Sequence, residues 1–443
     1  MINGLFGTMW RGAAPVMLLL IGLVVPSDTS WSQDQSLPAE RAAGPAWNGP
    51  LLEGPVSKLF AFAGGTLLAQ RPNDLQVSTD GGQTWESVPL PPAGSPLNEF
   101  TPRSRAFGLL GADPGDARVL FAAGAAPLYK STDGGTTWRV VLTAGQLEDL
   151  RRDSIASQEL AREDRGFHTV AVAVSPVDAT RVYAEVAWLG AYAPYGLLES
   201  SDGGETWTLR QKVAYGTLCQ VNVLLLMVHP TNPRRLFRAT DCLAGRNFGS
   251  SLAQSSDEAQ TFGPFWEVPA GPGSVASICR GTESTYGYPR TLVGGTGAVP
   301  SRWYLAVNRD FRFGGSTVLR SDDDGATWQG VLVYRGDGQA DCTQPGDWNV
   351  QLAGLAYDPG DSDRLYVARI AYDPHADFSQ PAESVYAVVT SGITMTRDAG
   401  TTWTDLAGQQ MGRLIDLAMG SDHDALYAAT DQGVWRLDLS QVP

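Results

Sequence analysis

The chain has 443 residues, 43% of them hydrophobic and only 18% charged, with 50 Gly and 28 Pro. That composition excludes a disordered or helix-dominated chain and fits many short strands joined by turns. A net charge of −15 and a pI near 4.7 exclude the basic face that nucleic-acid binding needs.

At the N-terminus, Arg11 precedes an apolar run from Ala13 to Val25, and the small, polar stretch Pro26 to Ser30 follows. A run of about 13 residues suits the core of a secretory signal better than a membrane span of about 20. Residues 1–30 are therefore expected to be a signal peptide, cut near Ser30 or Ser32, with an uncleaved anchor as the alternative. No Cys follows the run, so nothing points to a lipid anchor. Residues 31–45 are polar and rich in Pro and Ala, and read as a linker. The expected localisation is secreted, or in the cell envelope or periplasm, with no membrane span after cleavage.

From residue 46 onward one unit repeats. The first copy has Ser57 to Ala63, Gly65 to Ala69 and Asp74 to Val77 as short strands, then Ser78 to Trp85 (STDGGQTW) as a turn, then a fourth strand. The second runs through Ala106 to Leu110 and Val119 to Ala123 into Ser131 to Trp138 (STDGGTTW). The third runs through Val170 to Val174 and Val182 to Val186 into Ser200 to Trp207 (SSDGGETW). The fourth is a hairpin, Val221 to Val228 and Arg235 to Ala239, followed by a worn turn, Ser255 to Phe262 (SSDEAQTF). The fifth is less regular. Its first strand is expected at Val275 to Cys279, with Leu292 to Gly294 competing, and its second at Trp303 to Asn308, before Ser321 to Trp328 (SDDDGATW). The sixth pairs Leu352 to Tyr357 with Leu365 to Ala368, before Thr396 to Trp403 (TRDAGTTW). The turn before the second strand carries a Pro in units two, three, four and six, a periodic signal independent of the octapeptides. A seventh unit offers three strands (Leu414 to Ala418, Ala425 to Ala429, Gly433 to Leu437), and Ala46 to Leu52 is the expected source of its fourth. Such closure would remove an exposed edge.

The octapeptide follows the pattern Ser/Thr-x-Asp-x-Gly-x-Thr-Trp. Asp and Ser/Thr can bond backbone N–H groups within a tight turn, Gly supplies positive φ, and Thr and Trp start the return strand. Trp also offers a large apolar body with one N–H, suited to a seam between packed sheets. Asp80, Trp85, Asp133, Trp138, Asp202, Trp207, Asp257, Asp323, Trp328, Asp398 and Trp403 are accordingly read as structural. The pattern resembles the Asp-box, or BNR repeat, of sialidase-like β-propellers, including the sortilin, sialidase and single-propeller photosystem II assembly-factor types. The resemblance implies an all-β fold of four-stranded antiparallel blades, with each box on the turn between a blade's third and fourth strands, away from any active site. Seven units give one seven-bladed propeller over residues 46–443, with six or eight blades as the alternatives.

Four Cys in an exported chain allow two disulfides. Cys219 and Cys242 flank the unit-four hairpin symmetrically and are expected to pair, leaving Cys279 with Cys342. No spacing suits a metal, and Asp322-Asp323-Asp324-Gly325 reads as a box, lacking the closing Glu of a calcium loop. No cofactor is expected.

Function is expected on the loops opposite the boxes, held by a rigid scaffold. Thr143 to His168 reads as a charged helical insert. The candidate contact residues are Trp188, Tyr192, Tyr195, Arg309, Arg312, Trp348, Tyr372 and Asp373, aromatic planes mixed with charges that suit a sugar or a protein partner. Sialidases, by resemblance, need an Arg triad, a Tyr paired with Glu, and an acid. Here Gln70-Arg71-Pro72 fits poorly, and Arg181, Tyr183, Glu185, Glu283, Tyr286 and Arg320 lie at no telling spacing. The reading is a non-catalytic monomeric scaffold for an extracellular or envelope protein or glycan, with a glycoside hydrolase as the alternative.

Overall fold

In the computed structural model, the residues described are 46–91, 108–123, 127–154, 167–188, 195–212, 221–242, 249–263, 266–267, 288–308, 316–334, 350–372, 388–406 and 411–442. All belong to one unit, Asp34–Pro443. Strand β1 (Trp47–Glu53) comes first in sequence and last in the architecture. Blade 1 is β2 (Lys58–Ala61), β3 (Leu67–Gln70), β4 (Asp74–Ser78) and β5 (Glu86–Pro89). Blade 2 is β6 (Gly108–Asp113), β7 (Asp116–Ala123), β8 (Leu128–Ser131) and β9 (Arg139–Leu142), with helix α1 (Ala144–Ser154) after it. Blade 3 is β10 (Phe167–Ser175), β11 (Asp178–Trp188), β12 (Tyr195–Ser200) and β13 (Thr208–Lys212). Blade 4 is β14 (Val221–His229), β15 (Asn232–Cys242), β16 (Gly249–Ser255) and β17 (Trp266–Glu267). Blade 5 is β18 (Tyr288–Gly294), β19 (Trp303–Asn308), β20 (Thr317–Ser321) and β21 (Gln329–Val333). Blade 6 is β22 (Val350–Tyr357), β23 (Leu365–Tyr372), β24 (Val388–Thr396) and β25 (Thr404–Asp405). Blade 7 is β26 (Leu414–Met419), β27 (Ala425–Thr430) and β28 (Gly433–Asp438), and its outer strand is β1.

All seven sheets are four-stranded and antiparallel, and the fold is a seven-bladed β-propeller. The expected closure is present. Trp47 pairs with Leu437 and Glu53 with Gly433, so the two ends of the ring share one sheet. Buried side chains fill the seams between neighbouring blades. Val182, Ala184 and Val186 of β11 face blade 2, whereas Tyr183 on the alternate face packs with Val228 and Leu236 of blade 4. That is the period-2 alternation of a strand buried on both faces.

Six innermost strands carry a bulge, where the register with the second strand slips by one residue at Leu110, Val170, Leu224, Arg290, Ala353 and Ile415. The residues that follow pack strand to strand: a Cβ on Gly111 would stand 2.7 Å from the Val172 carbonyl. Bulges of this kind bend a strand and raise its twist, as a closed ring of sheets requires.

Blade 5 departs from expectation. Its first strand is Tyr288–Gly294, not Val275 to Cys279, which lies outside the described residues. The reason is local. Gly294 and Gly295 have φ of 129° and 75°, and a Cβ on Gly295 would lie 2.3 Å from the Trp303 ring. Only glycines let the chain fold back onto that indole, which is fully buried. This turn replaces the Pro-bearing turn of blades 2, 3, 4 and 6.

Candidate binding face

Each box is a closed hydrogen-bond circuit. In the second, the Ser131 hydroxyl accepts from the Gly135 N–H at 2.8 Å and donates to Asp133 Oδ1 at 2.8 Å. Asp133 accepts the Thr137 N–H at 2.8 Å and its hydroxyl at 2.6 Å. The same circuit closes in the other five, with Ser78, Ser200, Ser255, Ser321 and Thr396 in the hydroxyl role. The worn copy keeps it, although Glu258 and Ala259 must both adopt φ of 62° where other boxes place glycines. These bonds, led by the threonine hydroxyl, hold Asp80 and Asp257 down at about 2 and lower Asp133, Asp202 and Asp323 likewise.

A main-chain bond fixes where the boxes lie. Gly134 donates to the Arg118 carbonyl, Gly203 to Thr180 and Ala399 to Asp363, so each turn abuts the turn joining the first two strands of its own blade. Three of the five box indoles bond across a seam, whereas Trp85 and Trp328 donate to the Gly82 and Gly325 carbonyls of their own boxes at 3.0 Å. Trp138 Nε1–H donates to the Pro89 carbonyl, Trp207 to Val141 and Trp403 to Val331, each on the outer strand of the preceding blade. A second set of ties was not legible in the motif. The residue just before a box reaches the next blade's box main chain: Lys130 Nζ donates to the Gly203 carbonyl, Gln254 to Asp324 and Arg320 to Ala399. Tyr427 closes the ring the same way, donating to the Gly81 carbonyl. The box side chains thus fasten their own turns and the seams between blades.

Blade 3 places Glu199 at that pre-box position. Glu199 pairs with Arg181 at 2.9 Å and with Arg210, and it accepts the Tyr183 hydroxyl at 3.5 Å. Arg, Tyr and Glu therefore converge, as a sialidase centre would require, but on the box-face seam. Tyr183 is fully buried, and burial raises its hydroxyl to about 12. No substrate reaches it there. Arg71 makes a 3.6 Å ion pair with Asp74 and caps no site.

The opposite end carries the candidate residues. Trp188 ends β11 and Tyr195 begins β12, the latter paired with Ala187, so both stand at the far end of blade 3 from its box. Tyr372 ends β23, opposite Val388. Tyr192, Arg309, Arg312, Trp348 and Asp373 lie outside the described residues. The connections that hold the last four spring from one place. Segments 309–315, 335–349 and 373–387 all begin and end at the far ends of blades 5 and 6. That platform is fastened by side chains the sequence did not single out. Asn308 donates to the Leu352 carbonyl at 2.9 Å and accepts its N–H at 2.8 Å, and the Ser316 hydroxyl donates to the Val350 carbonyl at 2.7 Å. Arg369 pairs with Asp405 at 3.3 Å, its guanidinium 5.8 Å from the Tyr334 ring, and burial pushes the Tyr334 hydroxyl up. Cys242 is paired through its backbone with Val221 at the hairpin's open end, whereas Cys219, Cys279 and Cys342 lie outside the described residues. Among the described residues no group of His, Cys, Asp or Glu could hold a metal, and no helix is long and apolar enough to cross a membrane.

The family model for the BNR/Asp-box repeat matches residues 76–87, the first box and the strands entering and leaving it. The chain is a seven-bladed β-propeller that carries Asp-box (BNR) repeats. A search of curated protein sequences finds no match. Among solved structures, this propeller resembles the GH74 enzyme of Niastella koreensis, with 17% identity, a TM-score of 0.53, and coverage of 89% of this chain and 53% of that one. It resembles the GH74 xyloglucanase of Xanthomonas campestris with 15% identity and a TM-score of 0.53, covering 90% and 54%. YCF48 bound to D1 peptide aligns with 14% identity and a TM-score of 0.46, covering 91% and 97%. The chain spans about half the length of the two GH74 enzymes, and its likeness to those two shows the fold alone.

Proposed function

We infer that this propeller is an exported, non-catalytic scaffold that binds a protein or glycan on the face opposite its Asp-boxes. One contrast carries the reading. The polar side chains of the box face are consumed by their own turns and seams, whereas three connections of seven to fifteen residues leave a fastened platform on blades 5 and 6. Long connections in compact folds tend to be functional, and rigid supports lower the cost of binding. The N-terminal apolar run supports export, and Trp188, Tyr195, Tyr372 and the residues of those connections supply aromatic and charged chemistry suited to a sugar ring or a peptide.

The test is a glycan array and a fluorogenic sugar panel run on the full chain. Binding without turnover, lost on Trp188→Ala with Tyr195→Ala and kept on Thr137→Ala, supports the scaffold. Turnover abolished by changing one carboxylate of the loop face overturns it in favour of a glycoside hydrolase.

A further inference from the structure

The seam between blades 3 and 4 is built unlike the seam before it, where Trp207 Nε1–H donates to the Val141 carbonyl. Blade 4 has Phe262 where other boxes have Trp, so no indole N–H can bond the outer strand of blade 3. A buried ion pair stands in that place. Glu185 of β11 and Arg238 of β15 are 0% and 1% exposed, and their side chains bond directly. Arg238 also reaches Gln211 on β13, the outer strand of blade 3, at 3.4 Å, and its guanidinium lies 5.8 Å from the Phe262 ring. Arg238 thus does with charge what Trp207 does with its indole one seam earlier. The exchange is incomplete, because Glu185 Oε2 has no hydrogen-bond partner. Among the described residues, the other titratable and charged groups near this seam are Arg181, Tyr183, Glu199, Arg210, Arg234 and Glu258. They form their own network towards the box face, with Arg181 bridging to Glu258 at 3.0 Å. The packing strands β10, β12 and β14 present Ala173, Leu197 and Val228.

We propose that the blade 3–blade 4 seam is a proton-responsive joint, held closed when Glu185 is neutral and opening more readily when it is ionised. The physical reason is desolvation: a carboxylate in a fully buried seam gains solvation when the blades part, whereas a neutral carboxyl gains little. Burial, opposed by Arg238, raises Glu185 from 4.5 to about 7. The sign follows from linkage. The closed form binds the proton more tightly than the open one, so closure weakens as pH rises between those values. The joint lies beneath the loop face, since β11 ends three residues beyond Glu185 at Trp188 and β15 ends at Cys242.

Hydrogen exchange on the full chain tests this, comparing β11 and β15 with β7 at about pH 5.5 and about pH 8, after correction for intrinsic rates. A carboxyl moving between 4.5 and about 7 favours opening by about thirtyfold over that interval. Protection of β11 and β15 should fall by up to that factor relative to β7. Glu185→Gln should abolish the difference, and Arg238→Met should enlarge it. Should Glu185→Gln fail to fold, the double variant Glu185→Leu with Arg238→Met removes both charges and should be equally flat. A wild-type ratio that does not change with pH, or a neutralised variant that keeps the full change, overturns the proposal.

Discussion

The indole of Trp207 offers the sharpest test of the box as a seam fastener. Its side chain belongs to blade 3, yet its Nε1–H donates to the Val141 carbonyl of blade 2 at 3.1 Å, and it is only 8% exposed. It packs in one cluster with Val141, Leu142, Leu147 and Leu198. Trp207→Phe removes the N–H, leaves that carbonyl short of a donor and empties part of the ring's volume. The lost hydrogen bond and the small cavity together should cost about 1–3 kcal/mol. Trp207→Ala removes the whole ring and should cost about 3–5 kcal/mol. Guanidinium denaturation followed by both fluorescence and far-ultraviolet circular dichroism would give the two values, provided the two probes coincide. The order Ala worse than Phe worse than wild type is required. A Trp207→Ala protein as stable as wild type would refute the fastening role. Equal losses for Phe and Ala would show that only the hydrogen bond matters.

Phe262→Trp should destabilise by about 1–3 kcal/mol, because Arg238 already occupies the space an indole would need; a more stable variant would show that seam to be under-filled. Acid should unravel the box face: Asp80 and Asp257 sit near 2 through bonds from their threonines, so the stability they contribute is present above the ordinary carboxylate range and is lost as pH falls through about 4 to 2. A melting temperature flat over that interval would contradict the circuit. Leu52→Ala in β1, where Leu52 packs with Tyr427 and Val434, should cost about 2–4 kcal/mol and loosen ring closure, read as faster exchange in β28.

Much of this fold is legible in the sequence because its signals are local. A box is eight consecutive residues whose side chains satisfy one another, so spacing alone reveals it, and counting units leaves one blade short of a strand, which β1 supplies. What the sequence hides is what crosses seams. Glu185, in the run Tyr183-Ala184-Glu185-Val186, looks like a solvent-facing position of an alternating strand, yet it is fully buried, because both faces of a propeller blade are covered. Its partner lies 53 residues away in the next blade, and the only local trace is the missing Trp at Phe262. Asp416 is similar. It looks like an ordinary polar residue in β26, but its carboxylate accepts the Leu59 N–H across the closing seam and the N–H of adjacent Leu417, and burial raises it to about 6. Blade 5's first strand, Tyr288–Gly294, contains the competing candidate Leu292 to Gly294, and the sequence does not single it out because a Gly-Gly turn under Trp303 stands where blades 2, 3, 4 and 6 show a Pro signal. Asn308 and Ser316, which fasten the loop platform, belong to no motif.

The central claim, that partners dock on the face opposite the boxes, is most directly tested by site-specific photo-crosslinking in the producing cell. A photoreactive residue is placed singly at Trp188, Tyr195 or Tyr372 on one face, and at Thr84, Thr137 or Thr206 on the other. The account predicts the same discrete adduct from the first three positions and none from the box positions. Adducts from Thr84, Thr137 or Thr206, with the loop-face positions silent, would contradict it.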